Sequence, residues 1–207
     1  MTGRAGRLLA MGLAMLGAGA IAAPYIATAP DEDAQLAAMV DLYDSVCLRA
    51  FPDDAAVARA MTARGAAPLD AAGLRDTLHD DPGVGWTLRA AGALFTVTVE
   101  APPFHACAVR TMTRAGFPDR RAYDRLAAAY RRGHPGFSRP ETMKGMAGTI
   151  DSTLTSEGRE IPGGGETLIV ASGKVTDPVL RKAGQTAIEV RFVHQIVVDL
   201  PARSPAT

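Results

Sequence analysis

Aromatic residues are scarce in this 207-residue chain, at 5% with one tryptophan, and there are only two cysteines. Neither charge sign is in excess, since 22 Lys+Arg stand against 22 Asp+Glu. A dedicated nucleic-acid binder would carry a large basic excess, so that class is excluded. No GxSxG, HExxH, SxxK or Walker loop occurs, which removes the commonest hydrolase, zinc-protease and nucleotide-binding signatures. The four histidines, His79, His105, His134 and His194, are far apart, and no two have metal-ligand spacing. These residues therefore point to no catalytic set, no metal site and no cofactor. What remains is ordinary for a globular domain: 47% hydrophobic and 21% charged residues, which excludes a disordered body, a collagen or a multi-span membrane protein. Three lysines against nineteen arginines is the bias of a GC-rich genome rather than of a function.

The first thirty residues predict a compartment. Arg4 and Arg7 precede an uncharged stretch, Leu8–Ala23, that ends in small residues. A basic segment, a short apolar segment and a small-residue cleavage site make a secretory signal peptide over 1–22, cut after Ala22. As an uncleaved helix the stretch would span only roughly 24 Å of a ~30 Å hydrocarbon core, and Pro24 would stop it. Residues 23–30 then form a tether, 31–200 a single domain and 201–207 a disordered tail. The expected location is periplasmic or secreted, with no transmembrane segment after cleavage. An oxidising compartment in turn favours a disulfide between Cys47 and Cys107. The alternative is a catalytic thiol helped by His105, which shares a strand face with Cys107.

Hydrophobic periodicity outlines the domain. Asp31, Glu32 and Asp33 open a helix whose Leu36, Met39, Val40, Tyr43, Val46 and Cys47 recur every three or four residues. A shorter helix starts at Pro52–Asp54 and closes at Gly65, and 66–84 reads mostly as loop, with at most a helical turn over Leu69–Leu78. Alternation with a period of two predicts strands near 85–90, 93–100, 104–112, 147–156, 166–175 and 186–199. A helix from Phe117–Asp119 to Arg132 interrupts them, and 134–145 reads as loop. The fold expected is α+β: an antiparallel sheet of about six strands with helices on one face, in the order α(α)-βββ-α-βββ. The pattern of helix plus three strands occurs twice, without a residue-level repeat.

Several residues invite a functional reading and a plainer one. Gly163–Gly165 lacks the Lys and helix of a phosphate cradle and suits a hairpin turn. His79-Asp80-Asp81 could offer metal ligands but equally suits a polar loop. His194 falls on the apolar face of the last strand, where a hydrogen-bonded core histidine is usual. Trp86 and Phe104, beside turns at strand ends, suit either a ligand groove or packing against a helix. Seven arginines crowd Arg110–Arg132 against two acids, and Arg121, Arg125 and Arg132 share the helix arc opposite Tyr123, Leu126, Ala127 and Tyr130. Guanidinium groups grip carboxylates and phosphates in bidentate fashion, so this ridge is the candidate anion-binding surface. Pairing with the protein's own acids is the plainer account. The reading favours an exported, non-catalytic domain that binds a partner (an anionic envelope component or a protein) or supports the envelope. The alternatives are an envelope hydrolase built on His105, His194 and Asp151, and a binder of anionic ligands through the arginine ridge and Trp86.

Overall fold

The computed structural model describes residues 31–147 and 149–198; the signal peptide, the tether and the tail expected from the sequence lie outside the described residues. Asp31 caps the first helix by accepting from the backbone N–H of Asp33 at 3.0 Å, and the acids Glu32 and Asp33 complement its positive end. This helix, α1 (Glu32–Leu42), continues into a π-helical stretch over Tyr43–Leu48. Together they bury Leu36, Met39, Tyr43, Val46 and Cys47 of the face expected from the spacing, and Leu42 beside it, while the expected Val40 is half-buried. Helix α2 (Asp54–Ala63) is capped by Asp53, whose carboxylate accepts from Ala56 N at 2.9 Å. Strand β1 (Ala67–Pro68) and helix α3 (Ala71–Leu78, capped by Asp70) follow, before the meander β2 (Gly83–Ala90), β3 (Ala93–Glu100) and β4 (Phe104–Thr113). Ala91 and Gly92 turn β2 into β3 with φ of 48° and 72°, the left-handed pair of a two-residue hairpin.

Gly116 and Phe117, both at positive φ, lead into α4 (Arg121–Gly133), which begins a few residues later than its sequence suggested. It buries Tyr123 and Ala127 and half-buries Leu126 and Tyr130, the expected stripe. The second meander is β5 (Glu141–Ala147), β6 (Ile150–Ile161) and β7 (Gly164–Val175); after the short helix α5 (Pro178–Lys182), β8 (Ile188–Val198) is the last element of the described residues. A Cβ on Gly164 would lie 1.7 Å from Val197 O, so only glycine lets β7 start this close to β8.

The sheet is antiparallel throughout, in the order β1-β2-β3-β4-β8-β7-β6-β5, so the two meanders join through β4 and β8 at its centre. The α+β class and the antiparallel pairing hold, but the described residues contain eight strands rather than six. The additional strands, β1 and β5, arise in segments read as loop, and both are edges, defined by pairing with β2 and β6. Helix α3 corrects two further expectations. It is a two-turn helix where the sequence suggested at most a helical turn over 69–78 within a loop, and it does not join the others on one face. Helices α1, α2 and α4 cover the face carrying Phe95, Val97, Cys107, Val109 and Phe192. Arg110, which points to the other face, reaches Thr77 O near the end of α3 at 3.3 Å. No helix among the described residues is long and apolar enough to cross a membrane.

Candidate functional site

Under the helices, Cys47 and Cys107 form a disulfide with a Cα–Cα distance of 5.3 Å, both side chains fully buried. It ties the end of the π-helical stretch to central strand β4 and leaves no thiol to act as nucleophile. His194 lies directly across from Cys107 in the β4–β8 register. Its Nδ1 is 2.7 Å from Cys47 O and its Nε2 is 2.8 Å from Glu166 Oε1. Both partners are acceptors, so only the doubly protonated ring satisfies both bonds.

Glu166, on β7, is the hub of this cluster. Tyr130 OH donates to its Oε1 at 2.6 Å and Arg159 Nε to its Oε2 at 2.5 Å. Burial alone would raise the carboxyl pKa, but the hydrogen bonds from His194, Tyr130 and Arg159 outweigh burial and hold it at about 2. Burial and the bond to Glu166 push the Tyr130 hydroxyl well above its usual value. A carboxylate so acidic is a weak base and such a phenol a weak acid, so the cluster suits joining α4, β6, β7 and β8 better than moving protons. Beside it Arg131 pairs with the buried Glu157.

The residues singled out from sequence scatter. His105 Nε2 is 2.8 Å from Asp54 Oδ1, and the Phe51 ring stands between His105 and His194, with centroids 4.4 and 5.2 Å away. Asp151 does not join them. It pairs with Lys174 on β7, six residues or roughly 20 Å along the strand from Leu168, the register partner of His194. Trp86 is buried in the core, whereas Phe104 is half exposed at a strand end. Arg121, Arg125 and Arg132 are all exposed on α4. Arg121 grips Asp119 through Nε and Nη2 and, with its backbone N–H, holds that carboxyl at about 2. Arg125 and Arg132 make no ion pair among the described residues. His79 ends α3 in the left-handed region at φ 53°, and no group of three or more His, Cys, Asp or Glu among the described residues could hold a metal.

The opposite face of the sheet carries an arrangement that the sequence did not suggest. Arg110 of β4 and Arg191 of β8 are register partners, placing the Cβ atoms of two like charges roughly 5 Å apart. Arg191 Nη2 donates to Glu189 Oε1 at 2.9 Å, and Arg110 Nη1 to Thr77 O. The Nε atoms of both arginines are buried and bonded to nothing among the described residues. Burial and the neighbouring Arg191 lower the Arg110 guanidinium to about 10. A trough runs to both sides of the pair under α3, with volumes of about 280 and 470 Å³, and His79, Arg110, Ala171 and Arg191 line both parts. Ala106, Ala108 and Val193 form a small apolar cluster on its floor, with Ile169 against it. A third cavity of about 230 Å³, between α4 and the β6–β7 hairpin, is lined by Tyr123, Arg131 and Glu157.

One sequence signal foreshadowed the pair: Ala106, Ala108 and Arg110 alternate with the core residues Cys107 and Val109, so the arginine shares a face with alanines. Its partner Arg191 lies eighty-one residues away, and only the sheet reveals the pairing. Comparison with known proteins leaves this geometry as the guide to function, because no protein-family model, curated protein or solved structure matches the chain.

Proposed function

We propose that this protein is an exported, non-catalytic binding domain whose ligand lies in the trough on the helix-poor face of the sheet, beneath α3. The observation that carries this reading is that Arg110 and Arg191, two like charges on register-partner positions, line both parts of the trough. Like charges this close repel, and a bound anion shared by the two would relieve that repulsion. The combined shape fits the role, since small-molecule sites are concave, mostly apolar, and carry a few convergent polar groups. The acidic, fully engaged Glu166 on the other face supports a structural rather than a hydrolytic use of the buried histidine. The disulfide is consistent with an oxidising compartment.

The test is titration with the uncharged fluorophore N-phenyl-1-naphthylamine, which brightens in apolar surroundings. The wild type should bind it saturably. An Ala108→Phe variant, filling the floor, should lose that binding while unfolding at a similar temperature. Equal binding by the two proteins, or none by the wild type, overturns the trough as the binding surface.

A further inference from the structure

We infer that the trough takes a singly charged amphiphile, a carboxylate head on an aliphatic tail, with the head between Arg110 and Arg191. The inference rests on the trough being the binding surface and adds the chemistry of what fills it.

The arginines define the head. Two guanidinium groups on register-partner positions repel one another, and a shared anion turns that repulsion into two attractions. Guanidinium forks match the planar geometry of a carboxylate, and both arginines line the trough. The surrounding acids limit its charge. Glu189 already occupies one nitrogen of Arg191, and Asp76 lines the same part of the trough. Glu189 neutralises Arg191 while Arg110 meets only a carbonyl, which leaves one positive charge for a singly charged head, and the nearby Asp76 opposes the second charge of a phosphate monoester dianion.

The floor defines the tail and its direction. From the Arg110–Arg191 pair the sheet runs over Ala108 and Val193 to Ala106 and Gln195, four residues or roughly 14 Å, a length that accommodates a medium aliphatic chain. The small alanines give depth, while Val193 and Ile169 supply apolar contact. Glu100 and Asp81 line the far end, and burial together with Asp81 raises the Glu100 pKa, so a second anion is disfavoured there. The head thus belongs at the arginines and the tail toward β3's end of the trough.

The experiment is isothermal titration of the disulfide-bonded protein with decanoate, decyl phosphate, decan-1-ol and acetate, alongside displacement of N-phenyl-1-naphthylamine. Decanoate should bind about ten-fold or more tightly than decanol, as expected for charge-assisted hydrogen bonds, with decyl phosphate weaker than decanoate and acetate weaker still. Arg110→Gln and Arg191→Gln should each weaken decanoate about ten-fold and leave decanol unchanged. Should either arginine variant fail to fold, Glu189→Gln decides instead: freeing Arg191 should tighten decanoate and narrow the gap to decyl phosphate. Decanol equal to decanoate, decyl phosphate preferred in the wild type, or no response to Glu189→Gln would overturn the carboxylate assignment. In those cases displacement of the fluorophore by decanol keeps the trough as a binding surface. Failure of the wild type to bind the fluorophore at all removes the trough itself.

Discussion

Replacing Glu166 by glutamine keeps the shape of the side chain and removes the single negative charge that faces Arg159 and His194. The carboxyl sits at about 2 in the folded protein against an ordinary value of 4.5. A gap of that size corresponds to about 3 kcal/mol of stability, since one pKa unit is worth about 1.4 kcal/mol. The sign follows from the direction. A carboxyl whose folded pKa is depressed stabilises fully above pH 4.5, and that contribution fades as pH falls toward 2. Glutamine supplies one acceptor for Tyr130 and His194 but turns an NH₂ group toward Arg159 or leaves it unpaired. Removing one partner of a buried ion pair costs about 3–5 kcal/mol, and the modest exposure of Arg159 places this case at the lower end, about 3 kcal/mol. Urea unfolding of both proteins from pH 7 down to pH 3 measures this directly. At pH 7 the variant should be less stable by about that amount, and the two stability curves should converge as pH falls below 4.5. Parallel curves over that range, or a loss below about 1 kcal/mol at pH 7, would refute the hub role of Glu166.

Two further expectations concern the disulfide and the arginine ridge. The Cys47–Cys107 bridge closes a 60-residue separation, so in the chain-entropy model it stabilises by about 4 kcal/mol. Cys47→Ala and Cys107→Ala should lose similar amounts and the double variant little more, in chemical unfolding. Additive losses, or two thiols alkylated in unreduced protein, would contradict the bridge. If the exposed helix α4 docks to an anionic surface, replacing Arg121, Arg125 and Arg132 with Gln should weaken binding to phosphatidylglycerol vesicles. It should also flatten the salt dependence, because exposed charges are screened over about 10 Å at 0.1 M salt. Wild-type protein that ignores such vesicles at low salt would leave the ridge a solvated helix face.

Features set by short stretches of chain were legible in the sequence. Asp31 and Asp53 cap helices through their own neighbours, Ala91-Gly92 turns its hairpin through its own dihedrals, and alternating residues declare β2, β3, β4 and β8 because one face of each is buried. The disulfide was legible because there are only two cysteines. Elements that depend on a distant partner were not. Ala67–Pro68 is a strand only because β2 lies alongside, and Glu141–Ala147, interrupted by Lys144 and Gly145, is held by β6. The same reason hid both polar sites. Tyr130, Arg159, Glu166 and His194 come from four elements, and their hydrogen bonds exist only once α4 packs over the β6–β7–β8 region. Arg110 read as part of a basic run leading to α4, because its local neighbours include other arginines. Pleating turned it to the opposite face of the sheet, and the β4–β8 register set it against Arg191. That register joins two meanders, and only the folded sheet decides it.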